Sequence, residues 1–246
     1  MARNASDKPS WYNKTYKILY FARDIKNRSV FPVLKKYLSG KVLDVGGAEF
    51  FHTAKEKGYN FSTWTTIDLE PQLEKVDDKR YTYVQGDGCN MPFKASTFDT
   101  VINMHVLEHV FTPNLMIEEI KRVLKKGGYG IFLIPSSANL HMAPRHYYNY
   151  TQFWIRKVME ETNLKIVLLK PIGGMWSSSG LRLAYFFLVA FRFPGMSTKY
   201  HKRNFLFYLL SPFMAIAVIL IVPVCLLFSV GDLTENPNDH LVVVKK

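Results

Sequence analysis

The chain predicts an α/β fold on a mostly parallel sheet, and three observations predict it. Apolar runs of about five to seven residues alternate with amphipathic helical stretches across residues 41–170. Acidic residues close successive runs, and the first run ends in a glycine turn, Lys41-Val42-Leu43-Asp44-Val45-Gly46-Gly47. A buried strand that delivers a carboxylate and then turns on glycine suits a nucleotide-like ligand, because the backbone N–H groups can approach it closely.

Ahead of the sheet, residues 11–25 place Trp11, Ile18, Leu19, Ala22 and Ile25 at helical spacing with Lys14, Lys17 and Arg23 opposite. This pattern predicts a helix that either lies in a membrane interface or caps the core. A second helix is expected over 30–38, stopping at Gly40. Strands are expected at 41–45, 63–68, 81–85, 97–104, 129–135 and 165–169, and helices near 49–57, 114–125 and 151–161. Near-continuous apolar strands separated by amphipathic helices imply a sheet covered on both faces.

The last segment breaks this rhythm. Residues 205–230 form a stretch of 26 without a charge, and a helix of that length reaches about 39 Å, more than the ~30 Å hydrocarbon core of a bilayer. The chain then ends in a strand-like run from Asp239 to Lys246. A strand that closes the sheet must return to the side the chain left, which excludes a single crossing, and the apolar run at 183–191 is too short to supply a second one. A shallow or re-entrant hairpin meets both conditions, with Pro212 and Pro223 expected to break the long helix and Lys199, Lys202 and Arg203 placed among headgroups. The competing readings are a buried core helix and a dimerisation surface. The expected division is therefore a basic N-terminal helical segment (1–40), a core (41–172), a hydrophobic helical insert (173–238) and a closing strand (239–246).

Composition leaves two readings, an anionic partner surface and a solvated basic face. The net charge is +12, and residues 1–41 hold ten basic residues against Asp7 and Asp24, an excess that attracts phospholipid headgroups or nucleic acid. Two cysteines are too few for a disulfide framework, and residues 1–14 show no apolar export signal. The expected location is the cytoplasmic face of a membrane, with the protein peripheral or monotopic.

Downstream of the glycine turn, Asp68 follows Asp44 by 24 residues, near the ~20-residue spacing at which a carboxylate reaches ribose hydroxyls in βαβ folds. Asp87 and Gly88 follow in Gln85-Gly86-Asp87-Gly88 with Met91-Pro92-Phe93 behind them, then Asn103-Met104-His105-Val106-Leu107-Glu108-His109, then Arg122-Val123-Leu124-Lys125-Lys126-Gly127-Gly128. In this order the motifs resemble those of class I S-adenosylmethionine-dependent methyltransferases. The resemblance implies a Rossmann-like seven-stranded sheet with its last strand antiparallel, and S-adenosylmethionine as cofactor. It assigns the methionine part to Asp44, Gly46 and Gly47, the ribose to Asp68 with Leu69, and the adenine to Asp87 and Gly88 with Met91 beside the ring. Asn103 completes the cofactor set. The family pattern has further glycines where this chain has Ala48 and Phe50, and Phe50 is the larger departure.

Methyl transfer from a sulfonium requires an in-line nucleophile, with a general base where the acceptor's pKa is high. The candidate bases are His105 and His109, just past the fourth strand, and His146 in Arg145-His146-Tyr147-Tyr148, with His105 the first choice. His105, Glu108 and His109 share the i, i+3, i+4 spacing of metal ligands. With His105 where metal-binding relatives carry a glutamate, no metal is expected. The implied activity is O-methylation of a hydrophobic or lipid-linked acceptor at a membrane. The alternatives are a nucleic-acid methyltransferase, disfavoured by Asn103-Met104-His105-Val106 in place of an Asn-Pro-Pro-aromatic motif, and a non-catalytic scaffold that retains the fold.

Overall fold

The computed structural model describes residues 27–47, 50–72, 75–190 and 204–246. The helix expected over 11–25, the basic residues Lys199, Lys202 and Arg203, and Ala48 lie outside the described residues. Seven strands form one sheet: β1 (Lys41–Val45), β2 (Thr63–Asp68), β3 (Tyr81–Gln85), β4 (Phe98–Met104), β5 (Leu124–Pro135), β6 (Lys165–Ile172) and β7 (Asp239–Lys245). Their spatial order is β3-β2-β1-β4-β5-β7-β6, and β7 runs antiparallel to both β5 and β6 while the pairs from β3 to β5 are parallel. The expected Rossmann-like α/β sheet with an antiparallel last strand is the sheet observed.

Each strand's position explains its composition. Central strands β1, β4 and β7 are buried almost throughout, whereas the edge strands β3 and β6 stay half open. This follows from helices covering both faces. On one face Leu43, Val45, Val101, Phe132 and Val242 pack with α3 (Pro113–Val123) and α4 (Gln152–Glu161) through Met116, Ile120, Ile155 and Met159. On the other, Val42, Trp64, Ile102, Ile131 and Val243 pack with α1 (Phe31–Tyr37) and α2 (Phe50–Glu56) through Leu34, Phe51 and Ala54. The alternation of Val42 and Leu43 between the two clusters is the period of two expected of a strand.

Local boundaries follow capping chemistry. Pro113 occupies the first turn of α3, where its missing N–H costs nothing. The Thr151 hydroxyl accepts from Trp154 N at 3.3 Å to cap α4. Strand β5 begins at Leu124, earlier than expected, because Phe98 pairs with Leu124 and Thr100 with Tyr129, so the Gly127-Gly128 turn is a bulge inside the strand. Gly127 N donates to the Lys246 carbonyl at 2.8 Å, which ties that bulge to the end of β7.

Between β6 and β7 lie α5 (Met175–Ala190) and α6 (Phe205–Phe228), which pack against each other. A Cβ on Gly180 would come within 2.9 Å of the Cys225 Cβ, so glycine permits the close crossing. Asp232, after α6, accepts from Trp176 N at 2.7 Å and Ser177 N at 2.9 Å and so caps the start of α5 with the returning chain. Pro212 and Pro223 do not break α6, contrary to expectation. Pro212 has no N–H for the Tyr208 carbonyl, and the Ser211 hydroxyl donates to that carbonyl instead, at 2.9 Å. α6 is long and apolar enough to cross a membrane by length and composition, yet only 11% of its apolar window is buried. It is therefore not a core helix, and Leu209, Phe213, Ile216 and Leu220 point away from the protein.

Candidate functional site

Strand order reverses between β1 and β4, and in open α/β sheets a ligand crevice forms at the carboxyl ends of the strands at such a point. Asp44, Gly46 and Gly47 lie there. Asp44 is 1% exposed, and its Oδ2 has no hydrogen-bond partner among the described residues. Burial pushes its carboxyl well above the usual carboxylate range; the Trp64 indole pulls the other way, and the negative charge of Asp68 adds to the rise. A buried acceptor without a donor is costly unless a ligand supplies one.

The turn is shaped for close approach. Gly46 has φ +73°, its N–H donates to the Ile67 carbonyl at 2.8 Å, and a Cβ there would meet the Val106 side chain at 2.6 Å. A Cβ on Gly47 would lie 1.8 Å from the Asp44 carboxylate. Phe50 N donates to the Gly47 carbonyl at 2.8 Å, and the Phe50 ring lies 6.1 Å from that of Trp64, against the core. The departure from the family pattern at Phe50 is thereby accommodated outside the turn. Gly47→Ala is expected to displace Asp44 and destabilise the protein by about 1–3 kcal/mol, with a fall in cofactor affinity measurable by titration calorimetry.

The remaining cofactor candidates line the same edge. Asp68 ends β2, and its Oδ1 accepts from Glu70 N at 3.1 Å; Leu69 beside it is exposed, which an apolar side chain facing a ligand can be. Asp87, past β3, accepts from Cys89 N at 2.8 Å with Gly88 buried next to it, and Met91 is buried. These turns hold each carboxylate in place and leave further acceptor capacity on it. Asn103, in β4, is buried with Nδ2 against Met116 Sδ at 3.5 Å and Oδ1 unpartnered.

The candidate bases converge on Glu108. His105 follows β4 with φ +55°, a conformation rare for a non-glycine residue, and its N–H is held by the Leu133 carbonyl at 2.9 Å. Its Nδ1 faces Glu108 Oε1 at 3.7 Å and Asp239 Oδ1 at 3.8 Å. Glu108 is fully buried; burial alone would raise its carboxyl, but His105 and His109 hold it below its ordinary value. His146 packs with His109 and His141, with ring centroids 5.6 and 4.6 Å away, and its Nδ1 accepts from His141 N at 3.2 Å. Burial and then the two neighbouring imidazoles lower the pKa of His146.

Sequence reasoning did not single out Asp239 or His141 as parts of this cluster. Asp239 arrives on the last strand and His141 in the stretch after β5, and no local spacing links either to His105. That stretch also joins the helical hairpin, since Arg182 donates to the Ser137 carbonyl at 3.3 Å and the Tyr185 hydroxyl to the Leu140 carbonyl at 3.1 Å. In the same stretch, Arg145 pairs with Glu70, which follows β2, at 3.2 Å.

Comparison with known proteins bears on this site. Residues 43–132 match the family model described as a methyltransferase domain. Among curated proteins, the chain is 26% identical over 188 residues to 2-methyl-6-phytyl-1,4-hydroquinone methyltransferase 2 of rice (Oryza sativa subsp. japonica), covering 68% of this chain and 53% of that protein. It is 34% identical over 103 residues to a phthiotriol/phenolphthiotriol dimycocerosates methyltransferase of Mycobacterium ulcerans, covering 37% of this chain and 38% of that one. The chain spans about half the length, or less, of these relatives. An S-adenosylmethionine-dependent methyltransferase of Archaeoglobus fulgidus superposes with TM-score 0.53 at 15% identity over 92% of this chain and 99% of that one. Phosphoethanolamine N-methyltransferase 2 of Haemonchus contortus, solved with S-adenosyl-L-methionine, gives 0.56 at 16% over 92% of this chain and 56% of that one.

Proposed function

From the premise that this chain belongs to the class I S-adenosylmethionine-dependent methyltransferases, we propose that it methylates a hydrophobic or lipid-linked acceptor at a membrane surface, on oxygen. The observation that carries the cofactor reading is the buried Asp44 carboxylate, whose Oδ2 has no partner among the described residues, beside a glycine turn that a Cβ would fill. Asp44, Gly46 and Gly47 would hold the amino-acid end, Asp68 with Leu69 the ribose, and Asp87 with Gly88 and Met91 the adenine, while Asn103 lines the floor. Bound there, S-adenosylmethionine supplies an electrophilic methyl group.

The chain's own residues supply the rest. His105 is positioned to take the proton of an acceptor hydroxyl, with Glu108 and Asp239 facing its Nδ1 at 3.7 and 3.8 Å. His146 borders the same pocket as a further candidate base. The hydrogen bonds from α5 to residues 137 and 140 set the exposed apolar hairpin next to the stretch that carries His141 and His146. An acceptor with an apolar tail could therefore pass from a bilayer to the site without crossing water. Relatives named for a phytyl-hydroquinone and for dimycocerosates support an apolar acceptor. Binding of nucleic acid has no comparable support.

Titration calorimetry with S-adenosylmethionine tests the cofactor reading. Wild type is expected to bind, and Asp68→Ala to bind about ten- to a hundredfold more weakly, the range for losing hydrogen bonds to a charged group. Absence of binding by wild type would favour a non-catalytic scaffold. Incubation of copurifying lipid with S-adenosylmethionine is expected to give a product heavier by one methyl group, and His105→Ala to slow its formation while leaving cofactor affinity unchanged.

A further inference from the structure

Beside the cofactor edge, Glu108, His109 and His141 bring one possible ligand atom each within 4.8 Å of one another. From this geometry we infer a divalent-cation site, with Zn²⁺ as the ion that suits it. The expectation of no metal rested on His105 standing where a carboxylate ligand would be needed; the fold supplies His141 in its place.

The hydrogen-bond pattern of the imidazoles carries the inference. His109 Nδ1 contacts the Arg145 carbonyl, and His141 Nδ1 lies 2.8 Å from the Asn139 carbonyl. A carbonyl only accepts, so in the neutral imidazole that binds a cation each Nδ1 carries the proton and each Nε2 is left with its lone pair. His109 Nε2 faces Glu108 Oε1 at 3.8 Å. Glu108 is 0% exposed, and among the described residues neither of its oxygens has a hydrogen bond. Two imidazoles and a buried carboxylate thus converge within 4.8 Å, an arrangement that a cation stabilises. Imidazoles oriented by carbonyls on their far nitrogens are the usual outer-shell arrangement of bound transition metals. Two imidazoles and one carboxylate form a donor set known for Zn²⁺, which then keeps a fourth position for water or an acceptor oxygen. The ring of His146, 4.6 Å from that of His141, borders the cluster.

The test uses the full chain, stripped with chelator and titrated calorimetrically with ZnCl₂. One equivalent is expected to bind, and His141→Ala and Glu108→Gln are each expected to weaken binding by more than about 100-fold, the upper end of what outer-shell partners alone cost. The exposed His52→Ala serves as control and should bind as wild type does. Because Glu108 is buried, thermal melts accompany each titration: Zn²⁺ should raise the melting temperature of wild type and of His52→Ala, but not that of folded His141→Ala. No stoichiometric binding by wild type, or binding unchanged in His141→Ala, would overturn the site. A protein that binds Zn²⁺ but not S-adenosylmethionine would leave this inference standing and remove the cofactor reading, so the two can fail separately.

Discussion

Asp44→Asn should melt at a higher temperature than wild type without ligand, and should lose binding of S-adenosylmethionine. The carboxylate is buried, and its Oδ2 has no partner among the described residues. An unsatisfied buried polar group costs about 1–3 kcal/mol, and more if charged. A neutral amide of the same shape removes the charge penalty, so a gain of about 1–3 kcal/mol is expected, and for a chain of this size each kcal/mol moves the melting temperature by roughly 2–4 °C. The pH dependence follows from the raised carboxyl of Asp44. The unfolded chain ionises this group near its ordinary value, while the folded chain still holds the proton. Ligand-free wild type is therefore most favoured below the unfolded pKa and loses stability as pH rises towards the folded one. The advantage of Asp44→Asn should accordingly be small near pH 4 and larger at neutral pH. Differential scanning fluorimetry at several pH values, with and without S-adenosylmethionine, would check this. A variant that is less stable at every pH would mean that Asp44 is structural and not reserved for a ligand.

The second large effect should come from α6. Leu209, Phe213, Ile216 and Leu220 recur at helical spacing and are all exposed. Burying such a side chain contributes about 1.5–3 kcal/mol, so replacing all four by serine should remove several kcal/mol from membrane partitioning. Wild type is expected in the membrane fraction, and the fourfold variant largely in the soluble one. Because these side chains do not pack against the core, cofactor affinity should not change. Unchanged membrane recovery would count against the apolar hairpin as the anchor. A soluble wild type that runs as a dimer, with a monomeric variant, would make α6 an interface between copies.

Most of the sheet was legible because burial on both faces forces apolar runs at β1, β4 and β7 while their interruptions locate turns. Asp44, Asp68 and Asp87 were legible for a related reason: each closes a strand or follows one, and strand ends are visible in a sequence. Two local expectations failed on chemistry that short-range rules do not carry. The Gly127-Gly128 turn lies inside β5 because the end of β7 supplies a partner for Gly127. Pro212 leaves α6 intact because the Ser211 hydroxyl takes over the freed carbonyl.

The sequence by itself determined the strand and helix alternation, the glycine turn, the carboxylates at the strand ends and the uncharged stretch near the end. All are consequences of periodicity and local backbone freedom. Only the tertiary structure decided that Asp239 from the last strand stands across from Glu108 on either side of His105, and that His141 joins Glu108 and His109. It also decided that α6 is exposed and that its hairpin meets the stretch after β5. The physical reason is that these contacts join residues distant in the chain. Their energies depend on which groups burial leaves without a partner, and that is settled only when the sheet closes.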